Sequence, residues 1–276
     1  AKRRGIDSKT SKKIITESLL RYRLSVEAMP ETGYLRVMDE RLCAIKRNGE
    51  EKKRNPFLEK EKNQIHLRME GQGHPIFHEI GLDHTIVSTA LYEPHHPHIT
   101  AFRMELANCF TYYLEPRALM REEVPLADIE SLGSRGENLA AFLNTLKHKY
   151  PKDFESLNLS LKRILPTEAA IDIEHLKEGR VGLHLSENGF WFSARLISEG
   201  TLRLIGLLAA IHPKNPATLV AFEEPENGVH PVRLKIISEA LKNAVKEYGK
   251  QIVITTHSPI LPEYFDDKDL FVCSRE

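Results

Sequence analysis

Two neighbouring carboxylates, Glu223-Glu224, follow directly on the apolar run Thr218-Leu219-Val220-Ala221-Phe222. Thr256-His257-Ser258 follows in the same way on Gln251-Ile252-Val253-Ile254-Thr255. Carboxylates placed side by side resist ionisation unless a cation sits beside them. A magnesium ion with a phosphate chain would put both to use. One would hold the metal, through water, and the other would orient or deprotonate an attacking water. An imidazole at the neighbouring strand end can contact a terminal phosphate. A third candidate lies upstream, where Ser198-Glu199-Gly200-Thr201 opens an apolar segment. Free amides and a hydroxyl at a helix N-terminus attract anions. Taken singly, each feature also has a plainer reading: a solvated loop start, an ordinary surface histidine, and a serine N-cap.

Such groups work together only if the backbone brings them together. Residues 202–211 are apolar nearly all round, which predicts a buried helix. Residues 231–249 read as a helix opened by Pro231 and stopped by Gly249, with Leu234, Ile237, Leu241 and Val245 on one face. Leu270-Phe271-Val272-Cys273 reads as a third apolar strand. Continuous apolar strands alternating with helices predict a parallel sheet covered on both faces. Functional groups then lie beyond the C-terminal strand ends.

Upstream, Phe102, Leu106, Phe110 and Tyr113 recur at helical spacing and predict one helix ending before Pro116. Ser134-Arg135-Gly136-Glu137 has the form of a capping box, ahead of a helix carrying Leu139, Phe142, Leu143 and Leu146. Residues 154–164 predict another helix, stopped at Pro166. Residues 170–197 return to strand patterns, with Ser186-Glu187-Asn188-Gly189 as a turn. The N-terminal part is β-rich. Leu20, Tyr22, Leu24 and Val26 alternate with polar residues, Pro30-Glu31-Thr32-Gly33 turns the chain, and residues 34–42 form the returning strand. Residues 49–64 read as a charged surface loop, and alternation resumes at Ile65-His66-Leu67-Arg68-Met69.

The 276 residues balance 39 Lys+Arg against 39 Asp+Glu, which argues against a polyanion binder driven by net charge. Residues 1–67 nevertheless hold 17 Lys/Arg against 10 Asp/Glu, read as a solvated face or, alternatively, a nucleic-acid-facing surface. The length suits one large domain or two small ones. No apolar stretch approaches a membrane span, and no signal-peptide core follows Ala1-Lys2-Arg3-Arg4. Cys43, Cys109 and Cys273 are far apart, which fits a reducing compartment and neither a disulfide framework nor a zinc ribbon. The expectation is a soluble, cytoplasmic chain without membrane contact. His95-His96-Pro97-His98 lacks a second ligand cluster and reads as a Pro-rich surface loop rather than a metal site. Phe190-Trp191-Phe192 reads as strand packing rather than a base-stacking platform. No serine-hydrolase elbow and no internal repeat are present.

In combination, Ser-x-Gly at a helix start, a strand ending in two carboxylates and a strand ending in histidine resemble the C-terminal half of an ABC-type P-loop ATPase domain. More narrowly, they resemble the predicted ATPases grouped with RecF, SMC and OLD proteins. Ile197-Ser198-Glu199-Gly200-Thr201-Leu202-Arg203 resembles the signature motif, and residues 218–224 resemble Walker B. Glu224-Pro225-Glu226-Asn227-Gly228-Val229-His230-Pro231 resembles the catalytic glutamate with its D-loop, and Thr255-Thr256-His257-Ser258-Pro259 the switch-histidine segment. Gly136-Glu137-Asn138-Leu139-Ala140 is a weaker match to the group's helical insertion. The resemblance implies an α/β fold: an ABC-ATPase-like lobe with a parallel sheet, a β-rich N-terminal part at 1–100, a helical insertion at 101–166, and the signature, Walker B and switch-histidine lobe at 167–276. It implies ATP and Mg2+ as ligands. Glu224 would be the general base, Glu223 the acid near magnesium, and His257 the sensor of the γ-phosphate. Ser198, Glu199 and Gly200 would bind the nucleotide held by a second copy, and Asn227 and Gly228 would lie at that interface. The implied partners are a homodimer through the ATP site and DNA or an effector protein, in DNA repair or anti-phage defence.

Two departures qualify the likeness. The first Walker B acid is usually aspartate, and the extra methylene of Glu223 alters its reach toward a metal. No Gly-x-x-x-x-Gly-Lys-[Ser/Thr] loop occurs in the sequence, and that loop normally cradles the phosphates. The expected explanation is that these residues are part of a longer protein. A degenerate protein without the loop, or a split ATPase carrying it on another chain, are the alternatives. ATPase activity is therefore expected conditionally. A non-hydrolysing scaffold with a relic site and a nucleotide-locked DNA clamp are the competing functions.

Overall fold

The computed structural model describes residues 15–70, 74–165 and 168–274. Pro166, expected to stop a helix and end the insertion, and Ala1-Lys2-Arg3-Arg4 lie outside the described residues. The chain divides into two compact units, Ala1–Ala107 and Asn108–Glu276.

The first unit is a five-stranded antiparallel sheet in sequential order: β1 (Leu20–Ala28), β2 (Leu35–Ala44), β3 (Leu58–Glu61), β4 (Gln64–Arg68) and β5 (Pro75–Glu79), with helix α1 (Pro97–Ala107). The β1–β2 turn forms where expected. Gly33 takes φ +70°, open to glycine without a Cβ clash, and its amide donates to the Met29 carbonyl. Leu42, Leu58, Ile65, Leu67, Ile86, Val87 and Ile99 build the core. Buried Glu40 accepts from the Ile86 and Val87 amides (2.6 and 3.0 Å) and the Tyr22 hydroxyl (2.9 Å), so both oxygens are satisfied.

Two expectations fail in this unit. Residues 49–64 are not one surface loop: Phe57 and Leu58 are buried, and β3 pairs with β4. The charges at 59–62 hide a two-residue apolar anchor from a local pattern. The histidine-rich run is not a surface loop either. His96 and His98 are buried; Nδ1 of His98 meets Glu70 at 2.6 Å, and Nε2 accepts the amides of Thr16 and Glu17 at 3.1 and 3.0 Å.

The second unit runs β6 (Cys109–Tyr112), β7 (Val124–Pro125), α2 (Leu139–Lys149), α3 (Pro151–Ile164), β8 (Ala170–Leu176), β9 (Arg180–Glu187), β10 (Phe190–Ser193), α4 (Glu199–Ile211), β11 (Leu219–Glu223), α5 (Leu234–Tyr248) and β12 (Gln251–Thr255). The expected α/β architecture with a parallel sheet is present. β11 lies between β6 and β12, parallel to both. The single helix expected across 102–113 is replaced by the end of α1 and by β6. The Asn108 carbonyl accepts the amides of Thr218 (2.8 Å) and Leu219 (3.3 Å), which starts the ladder. A short apolar run such as 109–112 fits a helix face and a strand equally well.

Among the described residues the sheet is covered on one face, not two. Val220 and Phe222 are buried in a core with Leu202, Ile205, Ile237 and Leu241, whereas Cys109 and Val253 on the opposite side are exposed. The third apolar strand is also absent. Residues 270–273 pair with no strand among the described residues, and Phe271 and Val272 are exposed. The Leu270 amide donates to the Asp267 carbonyl at 3.2 Å, and that bond belongs to a turn rather than a ladder.

Helix α4 is buried nearly all round, as expected, and α5 ends at Gly249 with φ +66°. The capping box does not form. Asn138 is the N-cap of α2, and Gly136 at φ +75° bends the chain so that Glu137 accepts the Arg135 amide (2.9 Å) instead. Asn188 and Gly189 (φ +51° and +84°) make the expected tight turn between β9 and β10. Strand packing of the three aromatics fails: Phe190, Trp191 and Phe192 are 71%, 54% and 36% exposed on an edge strand that, among the described residues, pairs only with β9. Among the described residues no helix is long and apolar enough to cross a membrane.

His212, at the C-terminal end of α4, is buried, and its Nδ1 accepts the Lys214 amide (3.2 Å). Burial pulls its imidazole down from 6.5 to about 4. The unfolded chain takes up this proton first, so the fold loses stability as pH falls from about 6.5 to about 4, by up to about 3 kcal/mol. Urea midpoints of His212→Gln are expected to vary less across that window than wild type. Parallel pH profiles would refute the assignment.

Candidate functional site

Because β11 and β12 are parallel and in register, their C-terminal ends coincide, with Glu223 opposite Thr255. Glu223 is the last residue of β11 and is exposed. Glu224 then leaves the sheet at φ +43°, with its amide donating to the Thr255 carbonyl (2.9 Å). A left-handed conformation costs a non-glycine residue roughly 1–2 kcal/mol, and a residue before proline normally stays extended. The surroundings hold this bend. Asn227 Nδ2 donates to one carboxylate oxygen of Glu224, and the other lies 3.5 Å from His257 Nε2. The His257 side chain is 91% exposed and that of Glu224 30%, so the pair opens to solvent through the imidazole. Beneath them the Thr256 hydroxyl donates to Glu226, whose second oxygen is buried without a partner.

Ser198 caps α4: its Oγ accepts the Thr201 amide (3.2 Å) and meets the Thr201 hydroxyl at 2.9 Å. The ordinary N-cap is thus realised, next to a cavity of about 360 Å3 lined by Phe192, Leu196, Ser198, Thr201 and Arg233. Glu199 is held at the surface by Arg117 Nε, at 2.9 and 3.1 Å. Gly200 has no room for a side chain, since a Cβ would fall 2.1 Å from the Gly228 carbonyl oxygen. Gly228, at φ +75°, is therefore packed backbone to backbone against the start of α4 within one chain. The structure brings Glu224, Asn227 and His257 together at one point and Ser198, Gly200 and Gly228 at another; the loop 225–230 joins them.

Arg203 belongs to the same region but had no role assigned from sequence. Burial lowers its guanidinium pKa, while nearby Tyr113, Glu199 and Glu224 act in the opposite sense. Its Nε is buried without a hydrogen-bond partner. The available signal was a charged residue inside a helix otherwise apolar nearly all round.

Among the described residues no three His, Cys, Asp or Glu side chains converge as a metal cage. Glu223 offers one exposed carboxylate at a strand end. That donor set fits magnesium, which keeps several waters and takes one or two carboxylates together with substrate phosphates.

The family model described as "AAA domain, putative AbiEii toxin, Type IV TA system" matches residues 93–261, more than half of the chain. The chain belongs to this AAA-domain family. The matched span of the AAA domain contains Ser198, Gly200, Glu223, Glu224, Asn227 and His257. The family assignment makes it a P-loop ATPase-like domain. Similar solved structures include an SmcHead bound to the C-winged helix domain of ScpA, 11% identical with TM-score 0.45, covering 87% of this chain and 67% of that one. The SMC head domain from Thermotoga maritima is 13% identical with TM-score 0.35, covering 87% and 65%. A Smc head from Pyrococcus furiosus bound to the C-terminal domain of ScpA is 15% identical with TM-score 0.36, covering 44% of this chain. The chain spans about a third of that structure, 32% of its length. None of the curated proteins matches.

Proposed function

We propose that this AAA domain binds ATP with Mg2+ and hydrolyses it, the nucleotide being sandwiched between two copies of the chain. The observation that supports this reading is Glu224, held in a costly left-handed bend with its carboxylate between Asn227 and His257. Strain of this kind collects at functional sites. Glu223 would hold magnesium, which when bound neutralises phosphate charge. Glu224 orients the attacking water and takes its proton on the carboxylate, while Asn227 fixes the other oxygen. The exposed imidazole of His257 faces the terminal phosphate. Ser198, Glu199 and Gly200 meet the nucleotide held by the second copy, with Asn227 and Gly228 at the interface. The Arg117 contact offsets the Glu199 charge that would otherwise repel phosphate.

We place the chain with the RecF, SMC and OLD group, as a cytoplasmic protein coupling hydrolysis to DNA or an effector protein in repair or anti-phage defence. In this reading 1–100 is the β-rich part, 101–166 the helical insertion and 167–276 the catalytic lobe. The phosphate cradle is supplied from outside these 276 residues, which contain no Gly-x-x-x-x-Gly-Lys-[Ser/Thr].

Mixing two variants tests the sandwich. In a protein carrying this domain together with a phosphate-binding loop, His257→Ala and Ser198→Arg should each reduce ATP turnover. His257 acts on the nucleotide bound by its own chain, and Ser198 on the one bound by the partner. Mixed dimers therefore contain one intact and one doubly damaged site, and activity is expected to recover in part. Full ATPase activity in a protein that stays monomeric would overturn the reading.

A further inference from the structure

Away from the proposed nucleotide site, Nε2 of His175 on β8 lies against two polar side chains of α2. Asn144 and His148 stand four residues apart on α2 and so share a helix face. His175 on β8 meets them. His148 Nε2 lies 3.4 Å from His175 Nε2, which in turn lies 3.0 Å from Oδ1 of Asn144. The ring centroids are 5.5 Å apart, so the two nitrogens lie between the rings.

Hydrogen bonding accounts for only part of this cluster. If His175 Nε2–H donates to the Asn144 oxygen, that nitrogen has no lone pair left for His148. The 3.4 Å separation is also long for a hydrogen bond between nitrogens. A metal ion answers both points. Two imidazoles bound to zinc at about 2.0–2.1 Å with tetrahedral angles have their nitrogens about 3.3 Å apart.

We propose that Asn144, His148 and His175 form a binding site for a borderline transition-metal ion of the zinc or nickel class. Two imidazoles suit Zn2+, Ni2+ or Cu2+ and disfavour Mg2+ or Ca2+, which take oxygen donors. His148 and His175 are exposed, which lets an ion enter and lets water complete its coordination. Asn144 is 5% exposed and holds its oxygen in place from below. The flanking lysines do not oppose the cation, because Lys147 pairs with Asp172 and Lys149 with Asp128. No thiolate or carboxylate is among these three ligands, so the site binds more weakly than a thiolate zinc site. The bound ion cross-links α2 to β8. The site owes nothing to the ATPase reading.

Calorimetric titration of the untagged chain with Zn2+ and with Ni2+ tests it. One ion per chain is expected, with a raised melting temperature. His148→Ala and His175→Ala, both surface changes, should each weaken binding roughly tenfold or more and abolish the thermal shift. His84→Ala, an exposed histidine of the first unit, should change neither. Equal affinity and equal thermal shift in wild type and the His148→Ala/His175→Ala double variant would overturn the proposal.

Discussion

Glu224→Gln lowers ATP turnover by about 10²–10⁴-fold, the usual loss on removing a general base, and leaves ATP binding intact. This outcome is expected in a protein that carries the domain with its phosphate-binding loop. Glutamine keeps an oxygen to accept from Asn227, so the bend at φ +43° and the loop 225–230 should persist. What it loses is the ability to take a proton. The closed dimer should then accumulate with ATP and magnesium, visible as a dimer peak by sizing. Glu223→Gln should behave differently, raising the magnesium concentration needed for half-maximal turnover. The two carboxylates separate because Glu223 ends the ladder opposite Thr255, whereas Glu224 has already turned toward His257. Wild-type turnover in Glu224→Gln would transfer the case to a non-hydrolysing scaffold.

The parts of this site that sequence made legible are those set by strand ends. Two apolar strands in parallel register place whatever follows them at the same edge, so residues thirty-odd positions apart meet without any long-range information. The turn at Glu224 was not legible. A residue before proline is ordinarily extended, and only the backbone bond to Thr255 and the Asn227 contact explain the left-handed bend. Arg203 was hidden for a related reason. Inside an apolar helix it reads as a periodicity error, and its relation to Glu224 depends on tertiary packing.

The misread elements share one cause. Residues 109–112, 57–58 and 270–273 are apolar runs of two to four residues, too short for a period to distinguish helix, strand and coil. Their fates were decided by ladder partners: Leu219 to Phe222 recruited the first, Leu67 took Leu58, and the third found none among the described residues. The aromatics 190–192 failed differently. Aromatic residues favour strands, and β10 is a strand, but an edge strand leaves them exposed because nothing among the described residues covers them.

Gly200→Ala is expected to destabilise the domain even with no nucleotide present. Elsewhere inside a helix, replacing glycine by alanine is worth up to about 1 kcal/mol in the other direction. Here the new Cβ would lie 2.1 Å from the Gly228 carbonyl oxygen, a backbone atom that can move only if the 225–230 loop moves with it. Forced overpacking of this kind typically costs about 1–3 kcal/mol. Gly206→Ala on the same helix is the matched comparison. Its Cβ meets the ends of Met120 and Leu114, at 2.6 and 3.1 Å, and these side chains can rotate away. Urea midpoints should therefore fall further for Gly200→Ala than for Gly206→Ala, and hydrogen exchange should quicken at 226–230 in the former alone. A stabilised Gly200→Ala would refute the backbone contact. The result also bears on how mutants of this motif are interpreted. If Gly200 keeps α4 against Gly228 within one chain, loss of ATPase activity on its substitution reports a displaced loop as much as a lost nucleotide contact. Ser198→Arg also removes a contact within the chain, the cap on the Thr201 amide, but it brings no such backbone clash, so its structural cost is expected to be smaller than that of Gly200→Ala.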